Sequence, residues 1–125
     1  MILDTNALSA IADNEAAAVR IFGQAAGIEL PVIVLGEYSF GIAGSRHRNQ
    51  YEKWLEELVA ATRVLTVDRE TAGHYAQIRT ELKKAGEPIP SNDLWIAALS
   101  RQHRLALMSH DRHFDAVHNL KRIGW

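Results

Sequence analysis

Two short apolar runs in this chain each lead to an aspartate, and they constrain the fold more than any other feature. Ile2-Leu3 stops at Asp4, and Leu105-Ala-Leu-Met-Ser109 is followed two residues later by Asp111. Apolar runs this short suit strands covered on both faces, the strands of a parallel sheet lying between helices. Two more acids share the apolar setting: Glu37 has Ile33, Val34 and Phe40 at helical spacing, and Asp93 has Ile96 and Ala97. None of the four has a lysine or arginine three or four residues away. Burying an isolated carboxylate costs several kcal/mol unless something compensates it. Other acids differ. Glu57 follows Lys53, Glu81 precedes Lys84 and Asp68 abuts Arg69, pairs that read as solvated helix-face charges of small energetic weight. The four unpaired acids point to a shared compensator outside the sequence, and a divalent cation is the simplest one.

The rest of the chain reads as helices between strands. After the strand that ends at Asp4, Asn6 is placed to cap a helix over residues 7–13, and Asn14 to cap a second over residues 15–25. Residues 27–30 make at most a brief strand. Pro31 suits a first helical turn, and the helix it opens runs to about Ala43 with Ile33, Val34, Glu37, Tyr38 and Phe40 at three-to-four spacing. A further amphipathic helix covers residues 48–60, with Tyr51, Trp54, Leu55 and Leu58 inward. Residues 63–67 form a strand, and Asp68 caps a long helix that Gly86 stops, because Pro88 and Pro90 forbid continuation. Ser91 caps a helix over residues 92–103; residues 105–109 and 121–124 are the last strands, joined through a turn over residues 113–115. Strands separated by helices imply parallel pairing with both faces covered, a three-layer α/β/α domain over residues 1–125. Asp4 and Asp111 then lie just past strand carboxyl ends, where open parallel sheets place their active sites. Asp93 and Glu37, in the first and second turns of their helices, can face the same crevice.

Composition narrows the class. At 125 residues with 47% apolar content, the chain fits one domain with one core. It has no apolar run near the roughly 18 residues of a membrane span, and no basic segment leading into an apolar stretch. The absence of cysteine excludes disulfides and thiolate zinc sites and suggests the cytoplasm. A net charge of -1 argues against a dedicated nucleic-acid-binding module but allows an enzyme that grips nucleic acid at one local patch.

The segments that carry the acids also form a pattern. Leu3-Asp-Thr-Asn6, Val32-Ile-Val-Leu-Gly-Glu-Tyr38, Ile89-Pro-Ser-Asn-Asp-Leu-Trp-Ile-Ala-Ala98 and Met108-Ser-His-Asp-Arg-His-Phe114 together resemble the PIN-domain ribonucleases, in particular the VapC toxins of toxin–antitoxin pairs. The match runs in order over nearly the whole chain. The resemblance implies a small α/β/α domain with a short, mainly parallel central sheet that cleaves single-stranded or looped RNA with Mg²⁺ or Mn²⁺. Asp4, Glu37, Asp93 and Asp111 take the places of that family's four acids. A cognate antitoxin that wraps the domain, and a homodimer, are also implied. In two respects the chain departs from the family. Ser109 stands where Thr is frequent, and only three residues precede Asp4, so either the true start lies upstream or the first strand is minimal.

Phosphodiester hydrolysis needs an activated water, neutralised nonbridging oxygens and a stabilised leaving oxygen, which one or two hard cations supply. In this reading Asp4 and Asp93 bind metal directly, and Glu37 and Asp111 bind through water or complete a second site. Thr5, Asn6 and Ser109 hold the carboxylates by hydrogen bonds. Clustered carboxylates without metal repel, so at least one pKa rises. Arg46, Arg48 and Arg112 are candidate contacts to RNA phosphate. His110 and His113 flank Asp111, where a general base or an imidazole ligand would sit, but read first as surface-loop histidines; Trp54, Trp95 and Tyr75 read as core. The alternative is a non-catalytic PIN-like module serving complex formation or autoregulation. A phosphatase of the haloacid dehalogenase type, the third reading, needs an acid where Asn6 stands.

Overall fold

The computed structural model describes residues 1–125. Five short strands, β1 (Ile2–Leu3), β2 (Glu29–Pro31), β3 (Arg63–Leu65), β4 (Leu107–Met108) and β5 (Arg122–Ile123), form one sheet in the order β3-β2-β1-β4-β5. Every pairing is parallel. Six helices surround it: α1 (Thr5–Ala12), α2 (Ala16–Gln24), α3 (Val32–Ile42), α4 (Arg48–Ala61), α5 (Arg69–Ala85) and α6 (Ser91–His103). The result is the three-layer α/β/α architecture expected from the alternation of runs. No helix is long and apolar enough to cross a membrane.

The strand order places the site. From β1 the chain moves outward through β2 to β3, then returns to the other side of β1 with β4 and β5. Reversal of direction at a central strand opens a crevice at the carboxyl ends of the two strands flanking the switch. Here those strands are β1 and β4, paired Leu3 with Met108, and the Asp4 N–H donates to Met108 O at 3.0 Å. Asp4 and Ser109 therefore leave the sheet side by side. All four residues of β1 and β4 are fully buried, as helices on both faces require. Phe114, in a 3-10 turn over Arg112–Ala116, seals the core beside them.

Helix ends differ from the expectation at three places. Asp4, not Asn6, caps α1, accepting from the Thr5 N–H at 2.8 Å; Asn6 lies inside the helix, and its side chain turns to the site. Asn14 does not cap α2. It occupies a left-handed turn with φ of 58° between α1 and α2, a conformation that asparagine tolerates better than most residues, and Glu15 precedes the helix without a side-chain cap. Ser91 begins α6 rather than capping it; Pro90 is the flanking residue. Asp68 does cap α5, in a reciprocal box with Thr71, and Gly86 ends that helix at φ of 69°.

The pairs taken as local helix-face charges also change. Glu81 pairs with Arg101 of α6 at 3.0 Å instead of Lys84, and the Asp68 carboxylate receives the Thr71 N–H and the Gln102 amide. Trp54 and Tyr75 pack against the core as read, Trp54 lying against Tyr38; Trp95 is half-buried outside the core cluster and stacks on Tyr75 at 4.0 Å. Phe40 does not. It is 85% exposed, because Val34, Tyr38 and Ile42 form the buried stripe of α3 and Phe40 falls on the opposite side.

Candidate active site

The four acids meet. Asp4, Glu37, Asp93 and Asp111 line one cavity of about 660 Å³, together with Thr5, Asn6, Ser9 and the start of α6 at residues 90–92. No hydrophobic side chain lines it. Each acid arrives by a different route. Asp4 follows β1, Asp111 follows β4, Glu37 stands in the second turn of α3, and Asp93 stands in the first turn of α6. None is paired with a lysine or arginine, whereas Glu52, Glu81 and Asp115 each hold an arginine.

Short polar side chains bind the acids to one another. Ser109 is fully buried; its hydroxyl donates to Asp4 Oδ2 at 2.6 Å and accepts the Asp111 N–H at 3.0 Å. The Asn6 amide nitrogen lies 3.2 Å from both Asp4 Oδ2 and Asp111 Oδ2. Its two N–H groups thus suit two carboxylates, while its Oδ1 accepts the His110 N–H at 3.1 Å. The Thr5 hydroxyl donates to Glu37 Oε1 at 3.3 Å, and the Thr5 N–H holds Asp4 Oδ1. Donors of this kind to a charged acceptor strengthen the bond and fix its direction. They do not neutralise the charge.

The electrostatics register that deficit. Asp93 is pushed up to about 6, first by burial, then by the negative charge of Asp4, with Asp111 and Glu37 adding to it and His113 opposing. The first turn of a helix ordinarily favours a carboxylate, so here burial and repulsion outweigh the helix dipole. Asp4 is also raised, mainly by its burial, against the lowering effect of Ser109 and the Thr5 N–H. By contrast Asp115 is held low by its hydrogen bonds from Arg122. An acidic cluster in which Asp4 and Asp93 are raised for want of positive charge fits a divalent cation, which hard oxygen donors suit.

The structure brings against the acids one residue that the sequence reading set aside. His113 Nε2 lies 2.9 Å from Asp93 Oδ2, and one donor atom each of Asp93, Asp111 and His113 lies within 4.8 Å of the others. Its spacing two residues beyond Asp111 was the available signal; the 3-10 turn that sets its Nε2 against Asp93 from the neighbouring hollow was not foreseeable from periodicity. His110 instead stacks on Trp125 at 3.5 Å. Arg46, Arg48 and Arg112 are exposed and do not line the acid cavity. Arg48 pairs with Glu52 along its own helix at 2.6 Å, and Arg112 flanks a neighbouring hollow with His113 and Asp115.

Known proteins are similar to this chain. The PIN domain family model matches residues 1–120. Ribonuclease VapC1 of Haemophilus influenzae strain R2866 is 31% identical over 94 residues, covering 74% of this chain and 70% of its own length. The tRNA(fMet)-specific endonuclease VapC of Shigella flexneri is 30% identical and spans 99% of this chain and 96% of its own. Among solved structures, VapBC-1 from nontypeable Haemophilus influenzae superposes with a TM-score of 0.82 at 28% identity, covering 99% of this chain and 96% of that one. With its strand-end acids, its fold and these relatives in agreement, the chain belongs to the PIN-domain family, among the VapC ribonucleases.

Proposed function

We propose that this chain is a Mg²⁺- or Mn²⁺-dependent endoribonuclease, the toxin of a toxin–antitoxin pair, and that it hydrolyses RNA phosphodiester bonds at the four-carboxylate cavity. The observation that carries the reading is the gathering of Asp4, Glu37, Asp93 and Asp111 around one polar cavity with no lysine or arginine to balance them. When bound, a divalent cation supplies charge neutralisation at the phosphate and lowers the pKa of water. Asp93 and Asp111 offer donor atoms within 4.8 Å of each other and would be direct ligands, a closer role for Asp111 than the water-mediated one read from the sequence. Asp4 is the most tightly held of the acids, through Thr5, Asn6 and Ser109, and would face the cation from the strand end of the cavity. Glu37 has only the Thr5 hydroxyl on its carboxylate. That freedom suits it to orient the attacking water and to accept its proton at a carboxylate oxygen. Asn6 and Ser109 keep the geometry when the cation and substrate exchange.

RNA reaches the cavity from its open side, with Arg112 beside it and Arg46 and Arg48 as phosphate contacts further out. The Shigella relative is named for one tRNA, and tRNA is the substrate class to test first. The solved VapBC-1 assembly supports a cognate antitoxin partner. A homodimer, residues 1–125 acting as one domain, and a cytoplasmic setting complete the proposal.

The test is cleavage of RNA by the pure protein with Mg²⁺, Mn²⁺ or a chelator, alongside Asp4→Asn and Asp93→Asn. Metal-dependent cleavage lost in both variants supports the assignment, with a fall on the order of 100-fold or more in rate. Equal cleavage by wild type and variants removes it.

A further inference from the structure

We propose that His113 is a ligand of the metal centre, and that its imidazole biases the site toward first-row transition ions such as Mn²⁺ over Mg²⁺. This rests on the nuclease reading above and adds to it a nitrogen donor and a metal preference. Three observations carry it. First, His113 Nε2 sits 2.9 Å from Asp93 Oδ2, and that atom is shielded from solvent and makes no aligned hydrogen bond although the ring as a whole is 36% exposed. A cation between them gives both atoms a partner. Second, donor atoms of Asp93, Asp111 and His113 lie within 4.8 Å of one another. Donors that share one ion at about 2.1 Å are at most roughly 4.2 Å apart, so a small adjustment closes the three onto one ion. Third, the ring is braced on one side: it packs against the fully buried Phe114 at 4.9 Å between centroids, within the 3-10 turn that Asp111 precedes.

The chemistry of the donor set decides the preference. Carboxylates and water suit Mg²⁺, whereas imidazole favours ions further along the first row, for which affinity at a nitrogen-containing site rises from Mn²⁺ onward. A centre of three or four carboxylates and one imidazole therefore takes Mn²⁺ more readily than a purely oxygen centre does. His113 departs here from its sequence reading as a surface histidine. Its neighbour His110 stacks against Trp125 instead and serves as the control.

The experiment loads the full chain with Mn²⁺ and records pulsed electron paramagnetic resonance together with calorimetric titrations of Mn²⁺ and Mg²⁺. Wild type, His113→Gln, His113→Asp, His110→Gln and Asp93→Asn are compared, each checked for folding by circular dichroism. The expected result is nitrogen modulation of the Mn²⁺ signal in wild type and His110→Gln, absent in His113→Gln. The preference for Mn²⁺ over Mg²⁺ then drops on the order of 10-fold in His113→Gln, and in His113→Asp it shifts toward Mg²⁺ with affinity kept. Mn²⁺ binding that needs Asp93 but shows no nitrogen coupling and no change in His113→Gln overturns the His113 proposal and leaves the nuclease reading standing. Binding unaffected by Asp93→Asn, or absent from wild type, overturns both.

Discussion

At the scale of single residues, the site is a set of negative charges held in place by neutral donors. Asn6 shows the logic. One amide nitrogen bridges Asp4 and Asp111 across more than a hundred positions of sequence, tying β1 to the segment after β4. Asn6→Ala leaves both carboxylates short of a donor and is expected to lower stability by about 1–3 kcal/mol in urea titrations. A second prediction concerns pH. Without metal, Asp93 keeps its proton to about pH 6, against 3.8 for an unperturbed carboxyl. Between those values the folded chain binds more protons than the unfolded one, so stability falls as pH rises from about 4 to about 6 and stays reduced above. Acids held low, such as Asp115 and Glu81, act in the opposite sense and at lower pH, losing their contribution as pH falls. Melting temperatures from pH 4.5 to 6.5 in chelator should therefore decline for wild type and flatten for Asp93→Asn, and added Mg²⁺ should remove the decline. An unchanged slope in the variant assigns the titration to another group.

At the scale of elements, caps and turns decide where side chains point. Legibility followed the physics. The apolar runs and the long helix from Asp68 to Gly86 were readable because hydrophobic spacing, a capping aspartate and a left-handed glycine act locally. The helix starts at Asn6, Asn14 and Ser91 were misassigned because each is a good capping residue by type. Tertiary demand took Asn6 to the carboxylates, and a reversal of chain direction took Asn14. His113 was undervalued for a related reason: a 3-10 turn has no periodicity to read, and only the packing of Phe114 fixes it. The α5 cap offers a direct check. The Thr71 hydroxyl oxygen accepts the Asp68 N–H at 3.0 Å, and the hydroxyl donates to Gln102 Oε1 of α6. Thr71→Val removes both while keeping the volume, with an expected loss of about 1–2 kcal/mol in thermal or urea unfolding. No loss means that the box adds little beyond what packing already provides.

At the scale of the whole molecule, strand order does the gathering. The four acids could be picked out in sequence because their surroundings are apolar and their partners missing. Their convergence depends on the switch at β1, which no local pattern encodes. The exposed side of α3 carries Phe40 at 85% and Val32 at 44% exposure, a costly display for a lone monomer. We assign it to self-contact in the proposed homodimer. Phe40→Arg should then give a monomer by light scattering, with a change in monomer stability within about 0.5 kcal/mol. A dimer that survives the change shifts the interface elsewhere.

The claim beneath all of this is that acids from four separate elements create one cation site. Anomalous diffraction from a crystal soaked in Mn²⁺ reads it directly. The account predicts a peak inside the cavity, about 2.0–2.6 Å from oxygens of Asp93 and Asp111 as hard cations require, with Asp4 and Glu37 facing it. Strong Mn²⁺ peaks elsewhere on the molecule, with that cavity holding none, would contradict it.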